Sequence, residues 1–244
     1  MLLGAGMLAG AMNAVAGGGT FVALPVLMLA GLPPTMANAS STVALFPGTV
    51  ASGWAYRRDI QPLAGVSSAI LLGLSVTGGL VGALFLLFTP EKAFGTLIPW
   101  LLLLATVTLA AGPRANTLLR NVGLRFGGRS IYFAQFLLGI YGGYFGGAVG
   151  LMMLAVWGLA TTADLRQLTP LRTVMVAAAN GAAVLCFAAT GLVSWAETSI
   201  VMIGGILGGY VGARLSRRLP ANVLRGVILF ITVVTTAVFF ARAY

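Results

Sequence analysis

Arg172 is the cation in this sequence that most needs a chemical explanation. It stands inside an apolar run, where a guanidinium is costly unless it is paired or reaches a wet cavity. Counter-charges are scarce. The carboxylates are Asp59, Glu91, Asp164 and Glu197, all at the ends of apolar runs, and Asp164, two turns earlier, is the near-sequence candidate partner. Thr169 and Thr173 share a helix face with Arg172 at i, i+3, i+4 spacing. Asn38, Ser41 and Thr42 repeat that spacing 131 residues earlier. A cation facing amides and hydroxyls suits an oxyanion through charge-assisted hydrogen bonds. The bland alternative is an Arg172 lying shallow and snorkelling to the interface.

Glycine clusters supply the second kind of chemistry. Gly17, Gly18 and Gly19, followed by Thr20, interrupt the apolar stretch Met1–Gly31, and Gly146 and Gly147 interrupt Ser130–Leu159. Such breaks free backbone N–H groups, which glycine lets converge on an anion, and a helix starting after the break aims its positive end there. Asn13 precedes the first break by one turn and reaches the same place. The two breaks are therefore read as facing halves of an anion cradle, against the competing reading of close helix packing by small residues. Asn180 reads equally as helix–helix glue. Gln135, Tyr141 and Tyr144 are weaker candidates, the tyrosines doubling as interfacial anchors. Pro47 kinks its segment by freeing a carbonyl.

The elements that must position these groups are membrane helices. Of 244 residues, 59% are hydrophobic and 7% charged, too little charge to cover a soluble domain. Crossing a bilayer takes about 20 apolar residues. Full-length runs are Ala37–Tyr56, Leu63–Phe88, Ala93–Ala111, Arg166–Thr190, Trp195–Leu215 and Val223–Phe240. Each glycine-broken stretch is too long for one span and has arms too short for two ordinary ones. The N-terminus reads as the first membrane segment and not as a removed signal. The net charge of +10 sits in gaps between apolar runs, where it orients the chain instead of binding nucleic acid. Cys186 is the single cysteine, which excludes an intrachain disulfide, and with no histidine a zinc or haem site is not expected. No nucleophile elbow, P-loop or paired intramembrane carboxylates occur, so no enzyme, cofactor or metal is expected.

The chain repeats itself. Gly78-Gly79-Leu80-Val81-Gly82-Ala83, with Pro90 seven residues on, returns 130 residues later as Gly208-Gly209-Tyr210-Val211-Gly212-Ala213 with Pro220. Basic residues change ends between the copies. Arg57 and Arg58 have no counterpart near Thr190, whereas Arg214, Arg217, Arg218 and Arg225 surround Pro220. With basic loops cytoplasmic, the copies are inserted upside down relative to each other. The expected fold is an all-α integral membrane protein of two inverted repeats. Each has a glycine-broken segment, re-entrant or two short spans, followed by three full helices. Residues 1–111 form the first repeat, 112–129 a basic cytoplasmic linker and 130–244 the second repeat.

Several ordered motifs resemble the TauE/SafE sulfite exporter family. They are Asn13-Ala14-Val15-Ala16-Gly17-Gly18-Gly19-Thr20, Gly31-Leu32-Pro33-Pro34, Ala37-Asn38-Ala39-Ser40-Ser41-Thr42-Val43-Ala44-Leu45-Phe46-Pro47-Gly48, Tyr56-Arg57-Arg58, Gly139-Ile140-Tyr141-Gly142-Gly143-Tyr144-Phe145-Gly146 and Gly208-Gly209-Tyr210-Val211-Gly212-Ala213-Arg214-Leu215. The resemblance implies a duplicated multi-helix membrane protein handling sulfite, sulfonate or related small anions. The chain has Asn38-Ala39-Ser40-Ser41-Thr42 where family members often carry Asn-Ala-Thr-Asn-Thr. It has Thr169-Pro170-Leu171-Arg172-Thr173 in place of Asn-Ala-Leu-Lys-Asn. The expectation is a secondary transporter or exporter of a small sulfur-containing anion in a bacterial-type inner membrane. Its partners are the anion, the bilayer and a second copy of the chain as a homodimer. An anion-selective channel and a non-transporting membrane partner are the alternatives. Export needs least machinery, because an inside-negative potential drives an anion outward by about 2.3 kcal/mol per charge per 100 mV.

Overall fold

A computed structural model of the chain describes residues 1–63, 65–121, 127–158, 167–216 and 221–244. The regular structure among them is helical. In chain order come α1 (Leu2–Ala16), α2 (Thr20–Leu29), α3 (Pro34–Tyr56), α4 (Ser68–Phe88), α5 (Glu91–Asn121), α6 (Gly128–Tyr144), α7 (Val149–Gly158), α8 (Thr169–Ala189), α9 (Trp195–Ser216) and α10 (Ala221–Ala243). Among the described residues, Ser68–Phe88, Glu91–Ala111, Thr169–Ala189 and Arg225–Ala243 have the length and apolarity to cross a bilayer. The protein is a multi-pass helical membrane protein.

The six expected full-length runs all appear as helices. α5 differs in extent, because it continues ten residues past Ala111 to Asn121. Arg114, Ala115, Leu118, Leu119 and Arg120 are good helix formers, so the first part of the expected linker is helical. Residues 122–126 of the linker, Asp164, Arg166, Arg217, Arg218 and Pro220 lie outside the described residues.

Each glycine cluster ends one helix and starts another. α1 stops at Gly17, whose φ of 73° is the left-handed C-cap conformation; its N–H donates to Asn13 O at 2.9 Å. α6 gives way to α7 through Gly146 (φ 77°) and Ala148 (φ 57°). A left-handed alanine is uncommon and costs about 1 kcal/mol, so the surrounding packing must impose this bend.

Packing joins the two halves by exchange. α1 lies along α9 in parallel, Gly6 meeting Val201 and Ala11 meeting Gly212. α4 and α6 form the matching pair, with Gly78 against Phe136 and Gly139, and Gly82 against Ile140 and Tyr144. Both crossings are lined with glycine, which permits backbone-to-backbone contact. α3 and α8 run antiparallel: Phe46 touches Gly181, and Gly53 faces Ala177 and Val174. α5 and α10 are antiparallel too. Trp100 donates to Tyr244 Oη (3.0 Å), and Arg225 donates to the carbonyls of Leu109 (3.1 Å) and Ala110 (3.0 Å). Between those ends the hydroxyls of Thr106 and Thr236, separated by 130 residues, hydrogen-bond at 3.0 Å.

Two further contacts align the helix ends. The Glu91 carboxylate takes the Thr35 N–H (3.0 Å) and the Thr35 hydroxyl, so α5 starts beside the start of α3. The Ser194 N–H donates to Ser40 Oγ (3.1 Å), which brings the start of α9 to the same end. Arg57 and Arg58, after α3, therefore share an end of the bundle with Arg172 and Arg225, which open α8 and α10.

Candidate functional site

α3 is the axis of the site. Its residues from Ala37 to Leu45 are buried on every face, which explains why it tolerates polar side chains that a lipid-facing helix would reject. Asn38, Thr42, Leu45 and Thr49 follow one another at helical spacing, and this stripe receives both glycine breaks. Asn13 Nδ2 donates to Thr49 Oγ1 (3.3 Å), and a methyl group built on Gly19 would lie 2.8 Å from Leu45 Cδ1. One turn earlier, a methyl group on Gly146 would lie 3.4 Å from Thr42 Oγ1, while Asn38 Nδ2 donates to Tyr144 O at 2.9 Å.

The donors expected to face an anion on α3 are largely engaged within the protein. Asn38 uses its amide N–H on Tyr144. The Ser41 and Thr42 hydroxyls both donate to Asn38 O, at 2.9 and 3.0 Å. On α8 the Thr173 hydroxyl donates to Thr169 O (2.8 Å). These groups hold local structure, as Ser and Thr do when they bond back to their own helix.

Arg172 is different. Its Nε is buried and has no hydrogen-bond partner. It stands in the first turn of α8, on the far side of the α3/α8 crossing from Asn38 and Thr42. Its side chain nevertheless reaches the second break. A methyl group on Gly150 would lie 3.2 Å from Arg172 Cδ and 3.3 Å from Nε. Gly150 is in the first turn of α7, where the helix dipole is positive; the Leu151 and Met152 N–H groups donate to Ala148 O, while those of Val149 and Gly150 precede the first intrahelical acceptor. Arg172 and the head of α7 thus concentrate positive potential at one place. Arg172 on α8 and Thr42 on α3 thus abut one broken segment, at Gly150 and Gly146 respectively.

The first break is packed more closely. A methyl group on Gly19 would come within 2.6 Å of Ala9 O and 3.0 Å of Asn13 Cβ, and Gly18 is walled by Met12, Ile228 and Phe21. Thr20, at the head of α2, is buried. Gly17 has the left-handed bend, while Gly147 is crowded by the ring of Phe145. Close packing therefore accounts for Gly19 directly.

Sequence reasoning missed Thr49, which partners Asn13, and Gly150, the surface on which Arg172 rests. It underrated Tyr144, which is held at three points. Its carbonyl takes Asn38, its hydroxyl meets Thr89 Oγ1 (3.3 Å), and its ring packs edge-on against Phe94. Gln135 is fully buried and satisfied. It donates to Ser75 Oγ (2.8 Å) and accepts from Trp157 Nε1 (3.2 Å), tying α4, α6 and α7 together. Spacing does signal Thr49 in retrospect, because it continues the i, i+4, i+7, i+11 row from Asn38.

Three other charged residues among those described have local partners. Arg57 lies over the Trp54 ring (4.0 Å) and Arg214 over the Tyr210 ring (4.2 Å), cation–π contacts typical of a membrane–water interface. Glu197 binds the Ser194 hydroxyl.

Comparison with known proteins agrees with this architecture. The family model described as sulfite exporter TauE/SafE matches residues 2–239. The chain is 26% identical over 235 residues to the probable membrane transporter protein YfcA of Escherichia coli K12, covering 95% of this chain and 85% of that protein. It is 24% identical over 232 residues to a probable membrane transporter protein of Haemophilus influenzae, covering 95% and 90%. It is 23% identical over 232 residues to the probable membrane transporter protein ORF9 of a Sinorhizobium species, covering 94% and 87%. No solved structure matches it. A helical membrane bundle with two glycine-broken segments meeting on one buried helix, matched by the family model almost end to end, belongs to the TauE/SafE sulfite exporter family.

Proposed function

We propose that the protein is a secondary transporter of a small sulfur-containing oxyanion in a bacterial-type inner membrane, and that it holds the anion where Arg172 meets the head of α7. The observation that carries this is the buried, unpartnered Nε of Arg172 against Gly150. A guanidinium N–H sealed from solvent without an acceptor is expensive. An oxyanion relieves that cost and takes hydrogen bonds from the first N–H groups of α7. The sulfur class is supported by the family, and transport by the names of the relatives. Gly146, Gly147, Asn38, Ser41, Thr42, Thr169 and Thr173 then shape the break. Asn13, Gly17, Gly18, Gly19 and Thr20 form the companion bend, further along the same stripe of α3.

The arrangement of the halves supports inverted insertion. α3 and α8 occupy corresponding places in the repeat and run antiparallel, as do α5 and α10, with Thr106 and Thr236 meeting near the axis between them. A two-fold relation between antiparallel spanning helices has its axis in the membrane plane. Each broken segment then enters and returns on one side, the first opposite to the second. Impermeant maleimide is expected to label Arg58→Cys and Thr190→Cys, in a Cys186→Ser background, from opposite faces. Labelling from the same face would establish a parallel repeat instead.

Proteoliposomes containing the purified chain test the transport reading with sulfite, an organosulfonate, phosphate and chloride at both signs of membrane potential. Saturable flux of the sulfur anions is expected. Ohmic single-channel current would make the protein a channel, and no flux with any anion would end the transport reading.

A further inference from the structure

We infer that the second break also binds a sodium ion, on the side opposite the anion, between α3 and the C-terminal end of α6. The carrying observation is Asn38. It is fully buried, and while its Nδ2 donates to Tyr144 O (2.9 Å), its Oδ1 is sealed from solvent without a hydrogen-bond partner. The hydrogen bond of Nδ2 to Tyr144 O ties this amide to the last residue of α6. A buried carbonyl oxygen is strongly disfavoured unless something electropositive meets it.

Other oxygens stand around the same bend. The Thr42 hydroxyl spends its proton on Asn38 O (3.0 Å) and presents its lone pairs. A methyl group on Gly146 would lie 3.4 Å from Thr42 Oγ1 and 3.5 Å from Gly142 O, so the space left by this glycine is lined by oxygen. The final carbonyls of α6 form the negative pole of that helix. An anion is repelled here. A hard cation with oxygen ligands is accepted. Asn38, Thr42, Tyr144 and Gly142 bring no carboxylate, so the site compensates one positive charge by dipoles and not two, which selects a monovalent ion. The break thereby presents an N-terminal end to an anion and a C-terminal end to a cation, as discontinuous membrane helices do when substrate and coupling ion share a site. Only the coupling consequence rests on the transport reading; ion binding can be measured without transport.

Radioactive ²²Na⁺ binding to the full chain in detergent, by scintillation proximity, tests the assignment. The unmodified protein is expected to bind ²²Na⁺ saturably, with displacement by NaCl and none by KCl or choline chloride at equal ionic strength. Thr42→Val keeps the shape, removes one oxygen and should weaken binding about tenfold. Asn38→Ala should remove it, and Thr106→Val, on the distant α5/α10 contact, should leave it intact. Absence of saturable binding by the unmodified protein overturns the inference and leaves water as the partner of Oδ1. Equal displacement by K⁺, or unchanged binding in Thr42→Val, overturns it as well. Sodium binding without anion flux would retain this site and defeat the transport proposal, and the reverse result would do the opposite.

Discussion

Arg172→Gln is expected to abolish anion-induced thermal stabilisation in detergent and to weaken anion binding by about 2–3 kcal/mol, roughly 30- to 150-fold in Kd. The charge-assisted hydrogen bonds of the guanidinium are lost, and the amide cannot replace its fork. Arg172→Lys keeps the charge as a point source and loses the planar geometry, so a smaller loss, about tenfold, should follow. The stability of the anion-free protein is the discriminating readout. The Nε of Arg172 is buried without a partner, so the residue is a liability in the unliganded fold. Arg172→Gln should therefore leave the anion-free melting temperature unchanged or higher. A structural or snorkelling arginine predicts the reverse, with lower stability and an intact anion response. Either of those two outcomes would remove Arg172 from the site.

Gly208→Ala is expected to destabilise the bundle by more than about 3 kcal/mol and to remove most monodisperse protein from size-exclusion profiles. A methyl group there would lie 1.8 Å from Met7 O and 2.4 Å from Met7 C. Gly143→Ala, at the matching α4/α6 crossing, would meet Gly79 O at 2.0 Å and should behave alike. The obstructing atoms are backbone, which cannot rotate aside, so the helices must separate. Separation loses the dispersion contacts that hold helices together in lipid, where there is no hydrophobic drive between them. Gly73→Ala and Gly226→Ala are the internal controls. Neither position has a neighbour within 4 Å, and helix propensity should make each substitution neutral or stabilising by up to about 1 kcal/mol. Equal tolerance of alanine at Gly208 and Gly73 would refute the close crossing.

The same glycines carry a lesson about fold and site. Gly78, Gly82, Gly208 and Gly212 announce the repeat by their spacing, and the structure shows why glycine is needed there: each faces the backbone of the other half. The triple glycine at 17–19 looked like a ligand cradle for the same compositional reason. In the structure Gly19 is required by Ala9 O and Leu45, a packing demand that a sequence cannot distinguish from a binding demand. Asn38 shows the limit from the other side. Its type and place marked it as a polar group at membrane depth, but its amide N–H is spent on Tyr144, 106 residues away. What its amide leaves unspent is Oδ1, buried without a hydrogen-bond partner.

The amino-acid sequence by itself determined the membrane class, the apolar runs that become helices and the two glycine breaks, and it displays the repeated glycine pattern. These are local or periodic properties: the bilayer sets the length of an apolar run, glycine and proline punctuate it, and a repeat is read by sliding the chain along itself. Only the tertiary structure decided which helices exchange between halves, that Arg172 reaches the head of α7 across from α3, and which donors remain unspent. Those outcomes depend on hydrogen-bond partners and backbone contacts between residues far apart in the chain. Whether a buried polar group is satisfied is a property of its neighbours in space, which residue type and spacing do not encode.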